Sequence, residues 1–172
     1  MVDKYSKSIK KFKELAFCNG DFFLSFFSKN QKYLRYSLYK NYCLCFKYKN
    51  SNMIGKIIYL YRKFKYLRIS SKINVQLPFN EFVDHFYFNH YNIVISKKAI
   101  IGKNCNFVGN NCVGGNSKGE PKLGEGVYLG YGAIVIGNVE IAEKTVIGAG
   151  AIITKDILKP GSYVVGLDEV LK

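Results

Sequence analysis

The 172-residue sequence predicts a mainly β chain: a polygonal coil of short strands in its second part, preceded by an α-helical segment. Three observations predict it. An apolar residue returns at every sixth position from Ile95 onward, composition switches near residue 72, and apolar residues before that switch fall at helical spacing.

Length allows one domain with an appended segment and excludes two full catalytic domains. With 48% hydrophobic and 16% aromatic residues the chain is too apolar for disorder, so it must build a core. It has no apolar run long enough to span a bilayer, and its start, MVDKYSKSIKKFKEL, is charged where a secretory signal needs an apolar stretch. A cytoplasmic location is expected. The five cysteines (18, 43, 45, 105 and 112) follow no CxxC spacing and have two histidines beside them, so small buried thiols are expected rather than disulfides or a zinc site. No metal is expected.

The first element is basic and aromatic. Residues 1–72 hold 17 Lys and Arg against 3 Asp and Glu, whereas residues 73–172 hold 9 of each, so the whole net charge of +14 is N-terminal. Seventeen of the 27 aromatics lie there too, while 14 of the 16 glycines lie between Gly102 and Gly166. Two segments, 1–72 and 73–172, are therefore expected to be built differently. In the first, Tyr5, Ile9, Phe12 and Ala16 share one helical face, and so do Ile54, Ile57, Ile58, Tyr61 and Phe64. Gly20-Asp21 and Asn50-Ser51-Asn52 read as breaks between helices. The charge reads as solvated helix faces or as attraction of residues 1–72 to an anionic membrane surface. Nucleic acid is not expected, because no base-reading motif accompanies it.

The coil comes next. Stepping by six gives Ile95, Ile101, Phe107 and Val113, then Leu123, Leu129, Val135, Ile141, Ile147, Ile153, Lys159 and Val165. Eleven of these twelve stations are apolar, against a chain average of 48%. Four residues after most stations stands a small or β-branched residue: Ala99, Cys105, Val127, Ala133, Val139, Thr145, Ala151, Ile157. Each six-residue unit then makes a short strand and a corner with the station pointing inward. Three units close a triangle, and the stations give about four stacked coils.

From Val113 to Leu123 the step is ten residues, so a loop, GGNSKGEPK (Gly114 to Lys122), must leave the coil. Excursions from a regular solenoid carry binding surfaces. The loop has no GK[ST] and no strand-to-helix context, which excludes a phosphate-binding P-loop.

The hexapeptide pattern, and above all Pro121 to Gly166 with its IGAGAIITKD stretch, resembles the hexapeptide-repeat acyltransferases, in particular serine acetyltransferases and related polysaccharide O-acetyltransferases. The resemblance covers about residues 74–166. It implies a left-handed parallel β-helix, a homotrimer, and acetyl-CoA as acyl donor. FYFNHYNIVI (Phe86 to Ile95) resembles the family segment that carries a catalytic histidine, which places the general base at His90 if one residue is deleted and sets Asn92 where the family has glycine. Without a gap, Asn89 falls on that column. Asp84 and Glu120 are the candidate carboxylates to orient the imidazole, and spacing does not select between them. His85 follows Asp84 in a pair that mimics the family's Asp-His. A similar coil with three zinc-binding histidines makes a carbonic anhydrase, a count that two histidines cannot meet.

For the donor the resemblance carries over to Gly130 and Tyr131 beside the pantetheine arm, to Ala149 in the Gly-Ala-Gly turn, and to Thr154 and Lys155 in the TKD turn. The family's loop has a histidine just before its Pro-Lys, where this sequence has Glu120. Its closing Gly-x-Pro-Ala reads Gly-Leu-Asp-Glu from Gly166. The first departure points away from serine, so the expected activity is acetyl transfer to a sugar hydroxyl of a surface polysaccharide or its precursor. The acceptor is thus a glycan or small molecule, with serine O-acetylation as the alternative and a non-catalytic binding scaffold as the third reading.

Overall fold

The structure, a computed structural model, describes residues 3–17, 30–167 and 169–171. Cys18, the Gly20-Asp21 break and Asp168 lie outside them. Contacts divide the chain into two units, Met1–Ile73 and Asn74–Lys172.

The first unit is helical among its described residues: α1 (Lys4–Ala16), α2 (Gln31–Tyr48) and α3 (Met53–Ile73). Each helix starts where a short polar side chain can satisfy a free N–H group of the first turn. Asp3 accepts from the Ser6 N–H at 2.8 Å, Asn30 from Tyr33 at 3.2 Å, and Asn52 from Gly55 at 3.0 Å, so the Asn50-Ser51-Asn52 break is an N-cap. Lys47 also donates to Asp3 at 2.7 Å, and these bonds hold the Asp3 carboxyl down to about 2. The aromatic surplus forms the core of this unit. Phe12 stacks on Tyr39 at 4.9 Å, and Tyr39, Tyr42 and Tyr66 continue the chain of rings.

Helix α3 turns its apolar stripe outward. Its stripe of Ile54, Ile57, Tyr61 and Phe64 is exposed, with Ile57 and Phe64 at 64% and 63%, while Gly55, Tyr66, Ser70 and Ile73 face inward. The helix is apolar on two sides, and spacing alone reported the outer one. Among the described residues, no helix is long and apolar enough to cross a membrane.

The second unit is a left-handed parallel β-helix of triangular section. One face stacks β1 (Val75–Gln76), β3 (Ile93–Ile95), β6 (Cys112–Gly114), β9 (Ile134–Ile136) and β12 (Ile152–Ile153). The second stacks β4 (Ile100–Ile101), β7 (Lys122–Leu123) and β10 (Glu140–Ile141), extended by a bridge from Ile141 to Ile157. The third stacks β2 (Tyr87–Phe88), β5 (Asn106–Phe107), β8 (Tyr128–Leu129), β11 (Val146–Ile147) and β13 (Tyr163–Val165), edged by the antiparallel β14 (Glu169–Val170). Every station from Ile95 to Ile153 is buried in the column, and so are the eight small or β-branched residues four places on.

Two details correct the sequence reading. There are about five coils rather than four, because residues 75–88 add one before Ile95. Its inward residues Val75, Val83 and Phe88 break the six-residue step, as terminal repeats do, and Phe86, Phe88 and Phe107 close that end of the column with rings 5.0–5.8 Å apart. In the last coil Lys159 is exposed, and the column is filled by Ile157 and Val164 instead of Lys159 and Val165.

Corners need backbone in the left-handed region, which asparagine tolerates better than other residues with a side chain. One corner runs Asn74, Asn92, Asn110, Gly132, Gly150, all with φ between 48° and 72°. Asn92, where the resemblance sets a glycine, is therefore a corner residue. Another corner runs His85, Asn104, Gly126, Lys144, Gly161, with φ between 51° and 70°.

Asn111 is the one buried asparagine of this unit. It accepts from the Gly109 N–H at 2.9 Å and donates to the carbonyls of Gly130 and Ala133 at 2.7 and 3.2 Å, tying two coils together. Asn111→Ala strands those groups out of water, and a loss of about 1–3 kcal/mol is expected in urea unfolding.

The described thiols fit the expectation of small buried groups. Cys43, Cys45 and Cys105 are free and buried, Cys112 is half-buried, and burial pushes the Cys105 thiol up to about 12.

Candidate active site

The register places His90, Gly109, Tyr131 and Ala149 one above another at the edge of the first face, each two residues past Phe88, Phe107, Leu129 and Ile147. His90 is exposed, anchored by its N–H to the Val108 carbonyl at 2.8 Å. Its ring meets the Tyr131 ring edge-on at 6.1 Å. The glycine between them makes that contact possible: Gly109 has φ +142°, and a Cβ there would come within 2.5 Å of the His90 Cβ. Gly130 has a backbone reason of its own, since its Cβ would lie 2.6 Å from the Ala149 nitrogen. Tyr131 and Ala149 are both exposed on this edge.

At the opposite edge of the same face the Gly114–Lys122 loop folds back on itself. Asn116 and Gly119 exchange backbone hydrogen bonds at 2.9 and 3.2 Å, and the Asn116 side chain accepts from the Lys118 N–H at 2.9 Å. Loop and coil enclose a cleft of ≈ 390 Å³ lined by Asn116, Lys118, Asn138, Thr154, Lys155 and Asp156, with Gly137 and Val139 at its base. Asp156 is occupied as an acceptor for the Glu140 N–H at 2.8 Å. Lys118 and Lys155 bring two positive charges to the same cleft. Lys118 and Asn116 were not singled out by the sequence, although the ten-residue step marked the loop that carries them.

The sequence-derived residues thus fall into two sets, His90 with Gly130, Tyr131 and Ala149 on one edge, and Thr154 with Lys155 on the other. Between them runs a row of outward side chains in register, Val94, Cys112, Ile134 and Ile152, with no charge among them. These stand one residue before each station, so the repeat contained the signal that finds them.

The two candidate carboxylates stand at other corners of the coil than His90. Asp84 stands before the His85 corner and His90 beyond β2, so the two lie past opposite ends of that strand. The nearer neighbour of Asp84 is His85, with Nδ1 at 3.9 Å from Oδ1. Glu120 sits on the excursion loop against Gly115, a strand's length from His90 across the first face, on the order of 10 Å or more. Its Oε2 is buried and accepts no hydrogen bond. Among the described residues no group of three His, Cys, Asp or Glu comes together to hold a metal.

Residues 120–155 match the bacterial transferase hexapeptide family (six repeats). Over those residues the chain is similar to the hexapeptide-repeat acyltransferases. A serine acetyltransferase of Arabidopsis thaliana mitochondria is 38% identical over 69 residues, which is 38% of this chain and 18% of that protein. One from Synechococcus elongatus is 35% identical over 80 residues, covering 44% of this chain and 31% of that one. The chain thus spans under a third of the curated relatives it matches. In fold it is similar to a Brucella abortus serine acetyltransferase (TM-score 0.71, 16% identity, 97% of this chain and 68% of that one). It is also similar to a serine acetyltransferase in complex with CoA (TM-score 0.60, 20% identity, 81% and 56%).

Proposed function

We propose that the protein transfers an acetyl group from acetyl-CoA to the hydroxyl of L-serine. The observation that carries this reading is an exposed histidine beside a glycine-thinned corner, on a coil whose quoted relatives are all serine acetyltransferases. The sugar-hydroxyl expectation finds no support among those relatives, so the serine alternative now leads. Glu120 in place of a histidine remains a departure at the acceptor loop.

In this reading His90 takes the proton of the acceptor hydroxyl as its oxygen attacks the thioester carbonyl. Backbone N–H groups at the glycine-lined corner stabilise the oxyanion. The carbon–sulfur bond then breaks, and the proton passes from His90 to the departing CoA thiolate. Lys118 and Lys155, with Asn116 and Thr154, suit the anionic nucleotide end of the donor, and the Val94–Ile152 row suits its pantetheine arm or a neighbouring subunit. Release of CoA thiol from acetyl-CoA tests the reading. Serine-dependent release supports it, release with sugars alone restores the polysaccharide reading, and no release with either leaves a binding scaffold.

The homotrimer is proposed as well. The uncharged Val94–Ile152 row is a face that a closed ring would bury, and the placement of Asp84 and Glu120 at other corners of the coil than His90 favours a site completed by a neighbouring copy. Sedimentation should give three times 19.6 kDa, and a fully active monomer overturns the assembly. A cytoplasmic location is proposed, supported by the buried thiols. Peripheral contact of residues 1–72 with an anionic membrane is also proposed. It is supported by the exposed Met53, Ile57, Leu60, Phe64 and Leu67 stripe on a helix with six Lys and Arg and no acid. Phe64→Asp should reduce cosedimentation with anionic vesicles while leaving neutral ones unchanged.

A further inference from the structure

A second polar pocket lies wholly in the helical unit, between α2 and α3. It encloses ≈ 160 Å³ and is lined by Tyr33, Tyr36, Ser37, Lys40, Asn41, Arg62 and Lys65. Three cations therefore converge on a space suited to a small ion and below the roughly 300 Å³ at which sites for larger organic ligands begin. Among the described residues no carboxylate pairs with them. The sequence has no Asp or Glu from residue 22 to residue 80, and none of the three cations is in an ion pair among the described residues.

The available partners are neutral. The Lys40 ammonium lies 5.8 Å from the centre of the Tyr36 ring, and Lys65 lies 4.6 Å from that of Tyr61. Arg62 donates one long bond, 3.4 Å, to the Asn41 carbonyl oxygen, while Asn41 is itself buried and tied to the Ser37 carbonyl at 2.7 Å. The Arg62 Nε is buried with no acceptor. Burial, then the charges of Arg62, Lys13 and Lys65, push the Lys40 ammonium below the ordinary lysine range. Such an arrangement opposes folding, since like charges repel and a buried guanidinium nitrogen has lost its water. One species reverses every part of that cost: a compact anion with several acceptor oxygens.

We propose that this pocket binds a phosphate-class dianion, either a free phosphate or phosphomonoester or the headgroup of an anionic phospholipid. Lys40, Arg62 and Lys65 supply the charge, and Tyr33, Tyr36, Ser37 and Asn41 supply neutral hydrogen-bonding groups at the wall. The site is separate from the acyltransferase cleft and does not depend on the reaction proposed there.

Calorimetry on the full chain with inorganic phosphate, against chloride of equal ionic strength, reads the free ligand. Cosedimentation with phosphatidylcholine vesicles, with and without phosphatidic acid, reads the headgroup. Lys40→Gln and Arg62→Gln are each expected to weaken binding about tenfold or more, the loss of one charge-assisted hydrogen bond. Lys40→Gln should also raise the Tm of the ligand-free protein, because it removes repulsion, a sign opposite to that of a merely structural residue. Paired replacement of Lys118 and Lys155 by glutamine should leave phosphate binding unchanged. Phosphate binding without vesicle binding assigns a soluble ligand. Phosphatidate-dependent sedimentation lost in Lys40→Gln assigns the headgroup. Absence of both, binding untouched by Lys40→Gln and Arg62→Gln, or binding lost only with Lys118 and Lys155, overturns the proposal.

Discussion

His90→Ala is expected to lower acetyl transfer by about 10²–10⁴, the contribution of a positioned general base. Binding of the donor and the thermal stability of the chain should stay unchanged. The reason lies in where the ring sits. It is exposed, its aromatic contact is the edge of Tyr131, and its backbone anchor to Val108 survives truncation. Gly109→Ala should act on the same step by another route, crowding the His90 Cβ from a backbone with φ +142° and costing stability as well as turnover. His85→Asn should keep turnover, because His85 occupies a left-handed corner (φ 51°) that asparagine fills one coil along, at Asn104 (φ 60°). Near wild-type turnover in His90→Ala, together with an inactive His85→Asn, would show that the one-residue gap in the resemblance is misplaced.

Phe107→Ala is expected to cost about 3–5 kcal/mol. Phe107 is fully buried, meets Phe86 edge-on at 5.0 Å, and is stacked in register between Phe88 and Leu129. Coils above and below are held apart by their own backbone ladders, so the cavity has little freedom to collapse. Since a whole domain is stable by about 5–15 kcal/mol, this single change consumes a large share of the total. Urea unfolding followed by circular dichroism reads it. Tyr131→Ala, at a half-exposed side chain in the neighbouring coil, serves as the contrast and should lie within about 0.5 kcal/mol of the parent. A Phe107→Ala loss no larger than that of Tyr131→Ala would mean that the column is not the stabilising element of this unit.

Most of the coil was legible in the residues, because a solenoid repeats one local decision. Each station must point inward, each small residue must fit a corner, and both conditions are set within six residues of chain. The ten-residue step likewise announced the loop, and Gly109 and Gly130 are required by neighbours in adjacent coils. The same locality limits the reading. The first coil went uncounted because an end coil covers the column with Phe86 and Phe88 instead of repeating it. The last coil shifted to Ile157 and Val164 because two steps of four and seven residues reach the same column as two of six.

What the sequence by itself determined is therefore which residues face the core of the coil, where the chain turns, and where it leaves the repeat. The tertiary structure alone decided which turns become neighbours. Asp84 and His90 are close in sequence yet lie at opposite ends of one strand, while Lys118 and Lys155, 37 positions apart, line one cleft. It also decided that α3 buries Gly55, Tyr66 and Ile73 and turns Ile57 and Phe64 outward, since both faces are apolar. The physical reason is common to these cases. Periodicity records the direction of a side chain relative to its own backbone, whereas contact between distant residues depends on how many corners or helical turns separate them and on what packs against each side.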